Sequence, residues 1–169
     1  MKAKSTPQAT SKFTAQERTM LVTLPWIAGA AVSECDVVGG TRAAARESEV
    51  LRNAISRCVT VYQIRTGENL TTEPSAFDFE KADSLVDQAC KDALALLEKK
   101  DTKENVDAYK TFVLDVAHSV AAAYGAGFLG TGQKVSAAET QMIDKIAQAL
   151  KATHLVDAVK KSAEAAKGK

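Results

Sequence analysis

VDAYKTFVLDVAHSVAAAYG, residues 106–125, decides the fold. Val106, Tyr109, Phe112, Val113, Val116, Ala117, Val120 and Tyr124 recur at intervals of three and four, the spacing of one face of an α-helix, and Gly125 stops the pattern. Ahead of it, Asp101-Thr102-Lys103-Glu104 has the form of a capped helix start, in which a side-chain oxygen satisfies a free backbone N–H. Strands favour β-branched and aromatic residues, and aromatics make up only 5% of this Ala-rich chain. No segment alternates convincingly with period two. The fold class expected is all-α, a single-domain bundle of five to six mostly antiparallel helices joined by short connections.

The same periodicity extends in both directions. Thr14-Ala15-Gln16-Glu17 is a capping box that opens a first helix, whose stripe is Met20, Leu21, Leu24, Ile27, Ala28, Ala31 and Val32. Pro25 falls inside it, removes the hydrogen bond to the Leu21 carbonyl, and is expected to kink or split the helix. After a break at Val37-Val38-Gly39-Gly40, a second helix carries Ala44, Leu51, Ala54, Ile55, Cys58 and Tyr62 and ends at Gly67. Ser75 and Asp78 are read as the start of a third helix, with Ala82, Leu85, Val86, Ala89, Ala93, Leu96 and Leu97 inward. Ser136-Ala137-Ala138-Glu139 is another capping box, leading into Met142, Ile143, Ile146, Ala149 and Leu150, and a weaker helix with a Lys-rich end follows from Thr153. Residues 1–13 read as a flexible tail, and 14–169 as a single helical domain.

Composition narrows the function classes. With 22 basic and 21 acidic side chains the formal charge is +1, too balanced for the phosphate neutralisation on which non-specific nucleic-acid binding depends. Cys35, Cys58 and Cys90 are odd in number, far apart and without a C-x-x-C pairing, so they read as small core groups in a reducing cytoplasm, with Cys35 the candidate for an intermolecular or sensor thiol. The apolar run from Met20 to Val32 is too short to span a bilayer, which takes about 20 residues. Glu34 stands where a lipoprotein cleavage site needs a small residue. The terminal Lys160, Lys161, Lys167 and Lys169 accompany an apolar face too short and Ala-rich to favour membrane association.

The unusual backbone lies at Gly125-Ala126-Gly127-Phe128-Leu129-Gly130-Thr131-Gly132, which holds four of the nine glycines. Its literal G-x-G-x-x-G string follows a helix where the dinucleotide fingerprint follows a strand, and Gln133 separates Gly132 from the lysine a P-loop needs. An anion or small-ligand site would use Gly127, Gly130, Gly132, Lys134 and Ser136, with the positive end of the helix at Ser136 facing the ligand. Against it stands the capping box, which occupies that helix end. Phe128 is either a core plug or a contact for a partner, and Trp26, off the main stripe, is either covered by another helix or offered to a partner.

Asp115 and His118 have the i, i+3 spacing of a metal-binding pair. The second pair a di-iron bundle requires is missing, so both are read as members of a solvated face. No G-x-S-x-G elbow or Ser/His/acid set is recognisable. No catalytic residue, metal or cofactor is expected.

The run from Val120 to Leu150, carrying Gly127-Phe128-Leu129-Gly130, Gly132, Val135-Ser136 and Glu139, resembles a family of uncharacterised bacterial all-helical proteins with a GFLGxG…VSxxE signature. More distantly it is similar to the TerB-like helical domains of tellurite resistance, which implies a stress-related setting. It departs from them in having Tyr124-Gly125 where an Asp-Gly is expected, and no site residue carries over. The expectation is a non-enzymatic cytoplasmic bundle acting through contacts with a protein partner or a second copy. The alternative is a ligand- or anion-binding module built on residues 125–136.

Overall fold

The computed structural model describes residues 12–35, 41–68, 70, 81–124 and 135–166, with side chains for all of these but 41–48, 124 and 162–166. Among the described residues six α-helices follow one another: α1 Ala15–Glu34, α2 Thr41–Thr66, α3 Ala82–Lys100, α4 Lys103–Tyr124, α5 Ala137–Ala149 and α6 Val156–Ala166, with a short 3-10 turn at Thr153–Leu155 before the last. No strand occurs among the described residues. The all-α bundle is the observed architecture.

Both capping boxes form as expected. Thr14 Oγ1 accepts from the Glu17 N–H at 3.3 Å while the Thr14 N–H donates to Glu17 Oε2 at 2.8 Å. At α5 the Ser136 N–H donates to Glu139 Oε2 at 2.7 Å, and Ser136 Oγ accepts from the Glu139 N–H at 3.1 Å. Gly67 follows α2 at φ +73°, the left-handed conformation that ends helices and that glycine adopts without penalty. One start differs from the sequence reading, and another falls on residues outside those described. Thr102 caps α4, its Oγ1 accepting from the Asn105 N–H at 3.3 Å, while Asp101 shapes the turn before it. α3 begins at Ala82, the first residue of its buried stripe, and Ser75 and Asp78 lie outside the described residues. Leu85, assigned inward from its spacing, is 42% exposed, and Cys90 and Leu94 take the inner face with Val86, Ala93 and Leu97.

α1 and α4 form the centre. α1 packs chiefly on α3 and α4, α4 chiefly on α2 and α1, and α6 and α5 cover much of the rest of α4. One hydrophobic core runs through all six helices. α1 is buried all round in its middle: Leu21, Val22 and every residue from Leu24 to Val32 are covered. A helix that is apolar on every side belongs inside a protein. Trp26, at 5% exposure, is therefore a core residue, because the face it occupies is as covered as the stripe opposite.

Pro25 neither splits nor ends α1, which runs unbroken through it. The hydrogen bond that proline removes leaves the Leu21 carbonyl without its helical donor. Tyr109 supplies one from α4: its Oη donates to the Leu21 carbonyl at 2.7 Å, and both residues are fully buried. Desolvation, reinforced by Tyr62 and Cys90, holds the Tyr109 hydroxyl protonated far above its ordinary range, so the donor is permanent. Tyr109 is itself wedged by Tyr62, edge-on at 5.8 Å, and by Phe112 at 6.1 Å. One turn beyond Pro25, Gly29 lets three helices close together. A Cβ there would sit 2.3 Å from Leu51 Cδ1 of α2 and 3.3 Å from Val116 Cγ1 of α4.

The chain segment before α1 is also tied down. Phe13 is buried, and Lys12 pairs with Asp101 at 2.6 Å, so the tail expected over residues 1–13 gives way to packed structure by residue 12. Lys100 reaches the capping carboxylate of Glu17 at 2.6 Å and joins the end of α3 to the start of α1.

Candidate functional site

Of the residues proposed from sequence as a ligand loop, Gly127, Gly130, Gly132 and Lys134 lie outside the described residues, as does Phe128. Ser136 is described, and both its side chain and its backbone N–H are engaged by Glu139, which is 2% exposed. A carboxylate already sits where an anion would approach that helix end. Trp26, the other proposed contact, presents no surface.

α4 carries the chemistry-bearing side chains, and the structure corrects their placement. Asp115 and His118 do not share a solvated face: His118 is buried at 8% exposure and Asp115 is half-buried. The cause is the position of α4, enclosed by neighbours on nearly every side, so that even Lys110 is 7% exposed, with Asp107 at 3.6 Å as its ion-pair partner. Three residues along a helix leave two side chains only about 60° apart, so what separates these two is the packing of α2 on one side of α4 and of α5 and α6 on the other. Asp115 faces α2, where Arg65 and Arg57 are its charged neighbours, and His118 faces Lys160 of α6 and Asp144 of α5. Among the described residues no group of three or more His, Cys, Asp or Glu side chains is placed to hold a metal ion.

Their electrostatics follow from burial. Desolvation raises the Asp115 carboxyl from 3.8 to about 6, against the opposing pull of Arg65 and then Arg57. Desolvation also lowers the His118 imidazole, and Lys160 lowers it further while Asp144 partly compensates. His118 Nε2 is buried and has no hydrogen-bond partner among the described residues, an exception to the usual pairing of buried polar atoms. Cys58, across from Ser119 Oγ at 4.0 Å, is pushed up to about 11 by burial and by the Asp115 charge. Burial likewise takes Cys90 to about 12. Both thiols are protonated at neutral pH and serve as packing groups. Cys35 is half-buried and its thiol donates to the Ala31 carbonyl at 3.2 Å.

The accessible feature lies on the other side of the α2–α4 seam. On the outer face of α2, Val61 is 46% and Ile64 80% exposed, and the exposed Arg57 and Arg65 flank them. Residues 57, 61, 64 and 65 fall on one stripe by helical spacing. The inner stripe of Leu51, Ala54, Ile55, Cys58 and Tyr62 was legible in the sequence. Val61 and Ile64 were the remainder it left over, and two β-branched residues off the core stripe were the signal available to find this face. No helix among the described residues is long and apolar enough to cross a membrane. Compared with known families, curated proteins and solved structures, the chain matches no family model, no curated protein and no solved structure.

Proposed function

We propose that this protein is a non-enzymatic cytoplasmic helical bundle that acts through contacts with another protein, and that the outer face of α2 makes the contact. The observation that carries the reading is Ile64, a β-branched aliphatic side chain 80% exposed, with Val61 one turn before it. Single exposed aliphatics are ordinary on protein surfaces, whereas adjacent ones on one helical stripe form a patch that gains from being covered. The resemblance to TerB-like domains extends the reading to a stress-related setting. The alternative, a ligand module on residues 125–136, has less support, since the cap at Ser136 is already filled by Glu139.

A photo-reactive amino acid at position 64 is the test. Covalent adducts with a protein are expected in cells, and they should disappear when Val61→Ser is added. Adduct-free protein that instead copurifies with a small molecule, or turns over a substrate, overturns the proposal.

A further inference from the structure

We infer that the stripe of Arg57, Val61, Ile64 and Arg65 docks an acidic amphipathic segment of a partner protein, its carboxylates meeting the two guanidiniums and its apolar side chains covering the two aliphatic ones. The inference rests on the reading of α2 as a contact face and names the chemistry of what it contacts.

The argument is one of charge and availability. On the stripe of residues 57, 61, 64 and 65 the charged side chains are the exposed Arg57 and Arg65, so the face is basic although the chain as a whole is nearly neutral. Neither Arg57 nor Arg65 makes an ion pair within 4 Å among the described residues. By contrast, Lys12, Lys91, Lys100 and Lys145 each have a carboxylate within 3 Å. Asp115, half-buried on α4, feels the charges of Arg65 and Arg57 but makes no ion pair with either within 4 Å. Guanidinium groups present planar forks of donors suited to carboxylates, and here two such forks bracket an apolar pair at the spacing of successive helical turns. A second copy docking symmetrically on the same stripe would set Arg57 and Arg65 against their own equivalents, which disfavours self-pairing here.

The test uses the full chain and two labelled helical peptides of about four turns. One carries leucines at i and i+4 flanked by glutamates, and the other has the glutamates replaced by lysines. Fluorescence anisotropy should show the acidic peptide binding at least about tenfold more tightly, with the preference shrinking in high salt. The double variant Arg57→Glu/Arg65→Glu should reverse the preference, and Ile64→Ser should weaken both peptides. All three positions are exposed, so circular dichroism should show the variants folded. Equal binding of the two peptides overturns the acidic chemistry, while position-64 adducts that depend on Val61 keep the contact reading standing. Adducts joining two copies of the chain overturn it in favour of self-association. Arginine-dependent flotation on phosphatidylserine vesicles, with no peptide binding, overturns it in favour of a lipid surface. Absence of both peptide binding and adducts removes the inference and the contact reading together.

Discussion

α1 and α2 are neighbours of similar helical quality and opposite circumstances. α1 is covered on every side from Leu24 to Val32, and each of its irregularities is answered by a neighbouring residue: Tyr109 supplies the bond that Pro25 removes, and Gly29 makes room for Leu51 and Val116. α2 buries one stripe and leaves the other facing solvent, where Val61 is 46% and Ile64 80% exposed among the described residues. A residue whose every atom is in contact is constrained by the fold. An apolar residue exposed to water at no benefit to the fold is free to serve something else. The contrast makes a graded forecast: substitutions along α1 are costly and strongly coupled to named partners, whereas those on the outer stripe of α2 leave stability untouched.

The largest effect is expected at Gly29. Leucine there drives a side chain into space held by Leu51 and Val116, and overpacking of this kind costs about 3 kcal/mol, enough to threaten folding of a marginally stable domain. Adding Leu51→Ala removes the atom that a new Cβ would strike at 2.3 Å. The double variant should then be more stable than the sum of the single effects by at least about 1 kcal/mol in urea denaturation. Strict additivity would show that the close approach of α1 and α2 is not what Gly29 permits.

Next in size is Tyr109→Phe, which leaves the Leu21 carbonyl buried without a donor and should cost about 2 kcal/mol. The decisive comparison is with Pro25→Ala, which restores a backbone N–H at the position the helix needs. In the Tyr109→Phe background Pro25→Ala should recover much of the loss, while in the wild-type background it should do little, since the acceptor is already satisfied. Equal effects of Pro25→Ala in both backgrounds would break the link between the proline and the tyrosine.

These two sites also mark what could be read in advance. The helices, both capping boxes and the stop at Gly67 were legible because they rest on local chemistry: a hydroxyl three residues before a carboxylate, or a glycine where φ turns positive. The orphaned Leu21 carbonyl was legible too, since it follows from Pro25 alone. That Tyr109 would supply its donor was not, because it depends on how two helices 88 residues apart in sequence cross. His118 and Asp115 were misplaced for a related reason. Polar residues on an isolated helix are assigned outward, but a central helix has almost no outward side, and burial of α4 was a property of its neighbours. The loop of Gly127, Gly130, Gly132 and Lys134 was the most conspicuous feature of the sequence and lies outside the described residues, whereas Ile64 drew no notice for want of any motif.

A smaller effect is expected on the two sides of α4, where burial acts on opposite charge types. The Asp115 carboxyl is raised from 3.8 to about 6, so its contribution to stability is complete below 3.8 and is lost as pH rises through about 6. The His118 imidazole is lowered from 6.5, so its contribution is complete above 6.5 and is lost as pH falls through its folded value. In acid the two oppose each other, and removing one exposes the other. Relative to wild type, Asp115→Asn should lose stability more steeply on acidification below pH 6.5, and His118→Gln less steeply. For Asp115→Asn the difference is expected to be about 1 kcal/mol between roughly pH 4 and pH 7, kept small because Asp115 retains access to solvent. Parallel stability curves for the two variants would show that neither side chain is as desolvated as its position on α4 implies.

The smallest effect, and the one that gives the comparison its meaning, is at Ile64. Serine and isoleucine have similar helix propensities, and a side chain 80% exposed has little burial to lose, so Ile64→Ser should change the unfolding free energy by less than about 0.5 kcal/mol. Val61→Ser, at 46% exposure, should cost only slightly more. A loss comparable to that of Tyr109→Phe would mean that the outer stripe of α2 is already packed against this chain, and the case for an external occupant would end there. A neutral result combined with weaker binding of an acidic helix would separate the two roles. Ile64 would then stand as an aliphatic residue that contributes nothing to the fold that carries it and whose contribution is made only when a partner covers it.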